Sequence, residues 1–187
     1  MILAVDLHEP FLKQLRDNAS NAGLAHRIEV RCGDMAKLGE PEQSVDLIWS
    51  EGAIYNIGFD HGLECWHPWL KKEAVVAVSE LSWLTASPTP AALSFWHKNY
   101  AGMRSLSENR QAAARLGYEC LHALVLPAAC WWDEYYGALR KNIERLALEG
   151  RRDPFLAKAA LACTQEIDLY ENHSSEYGYV FYILQKS

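Results

Sequence analysis

Short apolar runs that end at small or acidic residues recur along the first half of the chain. Ile2-Leu3-Ala4-Val5 closes at Asp6, Arg27-Ile28-Glu29-Val30-Arg31 alternates and stops at Gly33-Asp34, and residues 44–49 stop at Ser50-Glu51-Gly52. A continuous apolar run suits a strand buried on both faces, and alternation suits a strand with one face covered. Between the first two runs Pro10 sits in a first helical turn, and Phe11, Leu12, Leu15 and Ala19 recur at helical spacing until Asn21 and Gly23 end the helix. Gly39-Glu40-Pro41 is a predicted loop. Residues 62–70 form a predicted helix with Leu63, Trp66 and Leu70 on one side and Pro68 weakening its last turn. Lys71-Lys72-Glu73 is a predicted turn, and residues 74–79 are the next strand. Strands and helices alternating at these short spacings predict βα units and a mainly parallel sheet.

Past Thr85 the pattern changes. A Pro-containing loop over residues 86–90 precedes predicted helices over 91–100 and 107–116, the second capped by Gly117. A strand is expected over 119–126, helices over 131–148 and 154–170, and a last strand over 177–185. There are no internal repeats.

The 187 residues suit one domain, 1–187, with a helical region inside 86–173 that is expected to form a lid. A hydrophobic fraction of 50% and a net charge of -6 describe an ordinary globular chain, and the acidic excess argues against nucleic acid as a partner. Lys71-Lys72 and Arg151-Arg152 are too short to make a basic stripe. Cys32, Cys65, Cys120, Cys130 and Cys163 are odd in number and widely spaced, which speaks against a disulfide framework and against a metal site. No apolar run reaches the ~18 residues of a membrane span, and the first residues lack the basic region of a secretory signal, so a cytoplasmic protein with reduced thiols is expected. Seven Trp and nine Tyr, many of them in the second half, offer both core and pocket surface.

Three strand ends carry candidate chemistry: Val5-Asp6-Leu7, Cys32-Gly33-Asp34-Met35 and Trp49-Ser50-Glu51-Gly52. Open α/β folds bind ligands where strands stop at the carboxyl edge. Together these segments resemble the class I S-adenosylmethionine-dependent methyltransferases, most closely the small bacterial type 11 kind. The resemblance implies a Rossmann-like α/β fold with helices on both faces of the sheet, and S-adenosylmethionine as cofactor. It implies that Asp6 takes the ribose hydroxyls, Leu7 lies on the adenine, and Gly33, Asp34 and Met35 hold the adenine. Ser50, Glu51 and Gly52 would run beside the methionine part. Taken alone, Asp6 also suits a helix cap before Pro10.

Members of that family open with a strand and a Gly-rich turn, G-x-G-x-G, and this sequence has no such motif. The first βα unit is therefore expected to be absent. In the family order 3-2-1-4-5-7-6 its strand is central, so strands two and four are expected either to pair directly or to be covered by a partner, such as a second copy in a homodimer.

The function expected is methyl transfer to a small-molecule acceptor, with no nucleic acid or membrane partner. Glu51, Glu80 and His97 are the candidate bases, with Glu51 first because it adjoins the cofactor turn. Tyr55 and Asn56 begin the acceptor pocket, and Trp83, Trp131 and Tyr135 supply aromatic contacts. The alternative is a catalytically inactive methyltransferase-like scaffold or interaction module. Half of a nicotinamide dehydrogenase fails, because such enzymes do not need the Gly-Asp-Met and Ser-Glu-Gly segments.

Overall fold

The computed structural model describes residues 1–149 and 153–187, so the Arg151-Arg152 pair lies outside the described residues. β1 (Ile2–Asp6) pairs in parallel with β2 (Ile28–Cys32), and α1 (Glu9–Asn21) makes the crossover. Pro10 stands in the first turn of α1, and the helix buries Leu12 and Ala19 while Phe11 stays exposed. Gly23, at φ 70°, supplies the left-handed residue that ends it.

β3 (Val45–Ser50) lies in a second sheet, parallel to β4 (Leu70–Trp83), with α2 (Phe59–Trp66) between them. The helix expected over 62–70 starts earlier and stops earlier. Pro68 instead opens a 3₁₀ turn, His67–Trp69, because its ring suits a first turn and blocks continuation. The turn expected at Lys71-Lys72-Glu73 is strand. Glu73 carries a positive φ of 62° inside β4, so the irregularity is absorbed within the strand.

β4 pairs antiparallel with β7 (Tyr177–Lys186), and β7 pairs antiparallel with β6 (Tyr118–Val125). The order is β3-β4-β7-β6, with a two-residue β5 (Arg104–Ser105) against the end of β4. The sheet is mainly parallel in strand direction, as expected, and β7 is the exception, running antiparallel to both of its neighbours, β4 and β6. Direct pairing of the second and fourth family strands, here β1 and β3, does not occur. Among the described residues β1 pairs only with β2, and β3 only with β4.

The main sheet has a core on each face. On one, Val76, Val78, Val180, Tyr182 and Leu184 pack with Phe59, Leu63 and Trp66 of α2 and with Ala112 and Ala113 of α4 (Leu106–Arg115). On the other, Leu81 and Tyr177 pack with Trp96 of α3 (Pro90–Asn99), Trp131 of α5 (Ala128–Trp131), Tyr136, and Ile167 and Tyr170 of α7 (Pro154–His173). The expected helix over 131–148 is three pieces: α5, a π turn over Trp132–Tyr136, and α6 (Gly137–Glu149). This second core covers only part of its face. Leu47 and Trp49 of β3 and Leu124 of β6 remain more than half exposed, with the Trp49 ring leaning on Phe181 at 5.4 Å.

Candidate functional site

Asp6 and Cys32 end β1 and β2 side by side, and the Gly33 amide donates to the Asp6 carbonyl (3.0 Å), so Asp6, Leu7, Gly33 and Asp34 gather at one carboxyl edge. Asp6 Oδ1 accepts from the His8 amide at 2.7 Å, the short-range turn contact expected of an Asp ahead of a helix. Its other oxygen has no partner among the described residues. Asp34 Oδ1 accepts from the Ala36 amide, and the Met35 carbonyl accepts from Trp66 Nε1 at 2.9 Å, which ties this edge to α2.

At the end of β3, Gly52 adopts φ 57° and donates its amide to Ser79 Oγ at 2.8 Å. That bond pins the turn to β4. Ser50 Oγ is buried with no hydrogen-bond partner among the described residues. Beside the turn opens a cavity of about 480 Å³, lined by Glu51, Gly52, Tyr55, Trp131, Tyr135 and Glu166 among others. Its size suits a small molecule.

The structure therefore brings Glu51, Gly52, Tyr55, Trp131 and Tyr135 around one space. Asp6, Leu7, Gly33, Asp34 and Met35 do not line it. Asn56 is exposed and spends its amide on the Ala53 carbonyl, and His97 is exposed on α3, turned about 100° from buried Trp96. Trp83 packs edge-on against Tyr177 in the second core.

Glu80 is buried and alternates away from the cavity, since its neighbours Ser79 and Leu81 are the lining residues. Its Oε1 accepts from the Tyr100 hydroxyl at 2.6 Å, and its Oε2 has no partner among the described residues. Burial pushes this carboxyl up from 4.5 to about 7, against the downward pull of Tyr100 and Arg104. Arg104 itself forks onto Asp60 at 2.6 and 3.1 Å.

Sequence reading missed Glu166 and Tyr100. Glu166 lines the cavity from α7, accepts the Tyr136 hydroxyl at 2.9 Å, and is held above the usual carboxylate range by burial. A signal was present: Glu166 falls between Cys163 and Tyr170 at helical spacing, on the inward stripe. The π turn also went unseen. It carries Tyr135 to the cavity, and Gly137 closes it, since a Cβ there would meet the Trp132 carbonyl oxygen at 2.7 Å.

A methyltransferase-domain family profile matches residues 1–73. Among solved structures the chain is similar to YjhP of E. coli, at 20% identity and a TM-score of 0.81, covering 99% of this chain and 76% of that one. The fold is that of the class I methyltransferases. A methyltransferase from Geobacter sulfurreducens, solved with S-adenosylhomocysteine, matches at 19% identity and TM-score 0.76, covering 99% and 75%. A putative sarcosine dimethylglycine methyltransferase from Galdieria sulphuraria matches at 18% and 0.72, covering 100% and 69%. No curated protein matches the sequence. None of these findings lends support to an inert scaffold.

The Geobacter sulfurreducens neighbour holds S-adenosylhomocysteine, and two groups of this chain fit a ligand of that kind. Orphaned, buried Ser50 Oγ beside the Gly52 turn and the free oxygen of Asp6 are the polar groups such a ligand would satisfy. Among the described residues no cluster of three His, Cys, Asp or Glu side chains is gathered for a metal ion. No described helix is long and apolar enough to cross a membrane.

Proposed function

We propose that this chain transfers a methyl group from S-adenosylmethionine to a small-molecule acceptor. The observation that carries the reading is the contiguity of the β3 turn with the cavity: Glu51 and Gly52 belong to both. When bound, the cofactor supplies an electrophilic methyl group. In this reading Asp6 holds the ribose hydroxyls through its free oxygen, with Leu7, Gly33, Asp34 and Met35 around the adenine. Ser50 and Gly52 flank the methionine portion.

The acceptor occupies the cavity against Tyr55, Trp131 and Tyr135, under a lid formed by the helices within 86–173. Transfer of this kind depends on holding the acceptor in line and keeping water out. Glu51 is the base we favour for an acceptor that loses a proton, because Glu80 faces the opposite side and His97 lies on the surface. Five free thiols support a cytoplasmic setting. The acidic charge speaks against a nucleic acid partner. The open edges of β1 and β3 favour a homodimer that covers them.

Titration with S-adenosylhomocysteine by calorimetry tests the cofactor half. Binding in the micromolar range is expected, and the Gly52→Val variant, strained at positive φ, should lose it. A chain with no measurable affinity for either S-adenosylmethionine or S-adenosylhomocysteine would remove the proposal.

A further inference from the structure

The cavity wall has an unusual composition. Six aromatic side chains, Tyr55, Trp96, Tyr100, Trp131, Tyr135 and Tyr179, face a space whose charged lining groups are Glu51 and Glu166, with no Lys, Arg or His among the lining residues. Trp131 is fixed within this wall by stacking on Tyr179 at 5.0 Å and 16° and on Tyr170 at 4.6 Å and 28°, while Tyr55 and Tyr135 are the more exposed rings. Tyr55 and Tyr100 meet edge to face at 6.4 Å. Two hydroxyls near this wall are already engaged with carboxylates, that of Tyr100 with Glu80 and that of Tyr136 with Glu166. Tyr100 therefore offers the cavity its ring and keeps its donor elsewhere.

Aromatic faces carry negative potential and attract cations within about 6 Å of the ring centre. An anionic ligand would meet two carboxylates and no counter-ion. A neutral ligand would leave Glu166 partly buried without a charge partner, one oxygen bound to Tyr136 and the other free among the described residues. An organic cation answers both conditions at once.

We propose that this cavity binds a small organic ammonium, with its alkylated nitrogen against the aromatic wall and Glu166 as counter-ion. This deepens the methyl-transfer reading and rests on it only in the step from ligand to acceptor: the acceptor is an amine that binds as its ammonium, gives an N–H proton to Glu51 and takes the methyl group on the freed lone pair, so that S-adenosylhomocysteine leaves and the product nitrogen is again a cation. Glu166 and Tyr135 are then specificity-determining residues.

The test uses three probes of one shape and different charge: choline, 3,3-dimethylbutan-1-ol and 3,3-dimethylbutanoate. Binding is read by calorimetry and by quenching of tryptophan fluorescence, without cofactor. Choline is expected to bind at least about tenfold tighter than the neutral alcohol, with the carboxylate weakest. Glu166→Gln should remove roughly ten- to a hundredfold of choline affinity and leave the alcohol unchanged. Tyr135→Leu, at a half-exposed rim position chosen to spare the fold, should lower the choline preference without affecting the alcohol.

Equal affinity for all three probes, no binding of choline, or an unchanged preference in both variants would overturn the inference. S-adenosylhomocysteine is titrated into the same preparation. Cofactor binding without cation preference defeats the amine inference alone, whereas cation preference without cofactor binding keeps the ammonium site and defeats the methyl-transfer reading.

Discussion

Glu80 should make this protein lose stability as pH rises through the weakly acidic range. The residue is 2% exposed, its Oε2 has no partner among the described residues, and burial holds the carboxyl protonated up to about 7. In the unfolded chain the same group titrates near 4.5. The folded state therefore binds the extra proton between these values, and unfolding free energy falls with pH across that window. Raising a carboxyl from 4.5 to about 7 corresponds to roughly 3 kcal/mol in favour of the protonated form. Stability is expected to be fully present below 4.5, to fall by up to about that amount, and to level above 7.

Other groups contribute in both directions, with Glu166 raised and Glu108 and Glu176 lowered, so the comparison needs a variant. Glu80→Gln keeps an acceptor for the Tyr100 hydroxyl and cannot ionise. Urea melts of both proteins at half-unit steps from pH 4 to 8 would give the difference directly. The variant should be the less stable at acid pH and gain on the wild type by about 2–3 kcal/mol at neutral pH. A constant difference across the range would refute the reasoning and would mean that water reaches Glu80.

Asp6→Ala should weaken S-adenosylhomocysteine binding roughly ten- to a hundredfold in calorimetry, as expected for a lost charged hydrogen bond, and an unchanged affinity would leave Asp6 with its turn role alone. Gly137→Ala places a Cβ 2.7 Å from the Trp132 carbonyl, so it should cost about 1–3 kcal/mol in denaturant melts and shift tryptophan emission as the π turn rearranges. Gly62→Ala meets Ile54 at 2.8 Å in the first core and should cost a similar ~1–3 kcal/mol, partly recovered by Ile54→Val. Sedimentation should show concentration-dependent association, reduced by Trp49→Lys. A monomer at every concentration would remove the homodimer.

The strands of the first half were readable because each is an apolar run closed by a small or acidic residue, as at Val5-Asp6 and Trp49-Ser50. The start of β4 was not, because Lys71, Lys72 and Glu73 are exposed, and solvent-facing strand residues have the composition of a turn. The antiparallel course of β7 could not be read either. A strand buried on both faces looks the same in either direction, and direction is set by which neighbour it joins. The site divides along the same line. Glu51, Gly52 and Tyr55 follow one another at a strand end and were visible together, whereas Tyr100, Glu166 and Tyr179 reach the cavity from separate elements. Only the stripe phase of Glu166 betrayed it. His97 misled because helix phase, one residue from Trp96, turns it outward.

The insertion of β7 between β4 and β6 bears on how the protein is made. Ser82 and Tyr182, hydrogen-bonded partners, lie 100 positions apart, and residues of β7 belong to both cores. A ribosome must therefore release more than a hundred residues beyond β4 before either face of the sheet can close, while Leu47, Trp49 and the strand edges stand open. Contacts this distant slow folding and lengthen the interval in which such surfaces can find the wrong neighbour. Nascent chains stalled before Tyr177 should accordingly be captured by holdase chaperones and resist release, and yield in cells should follow chaperone supply more steeply than it follows the stability of the finished protein.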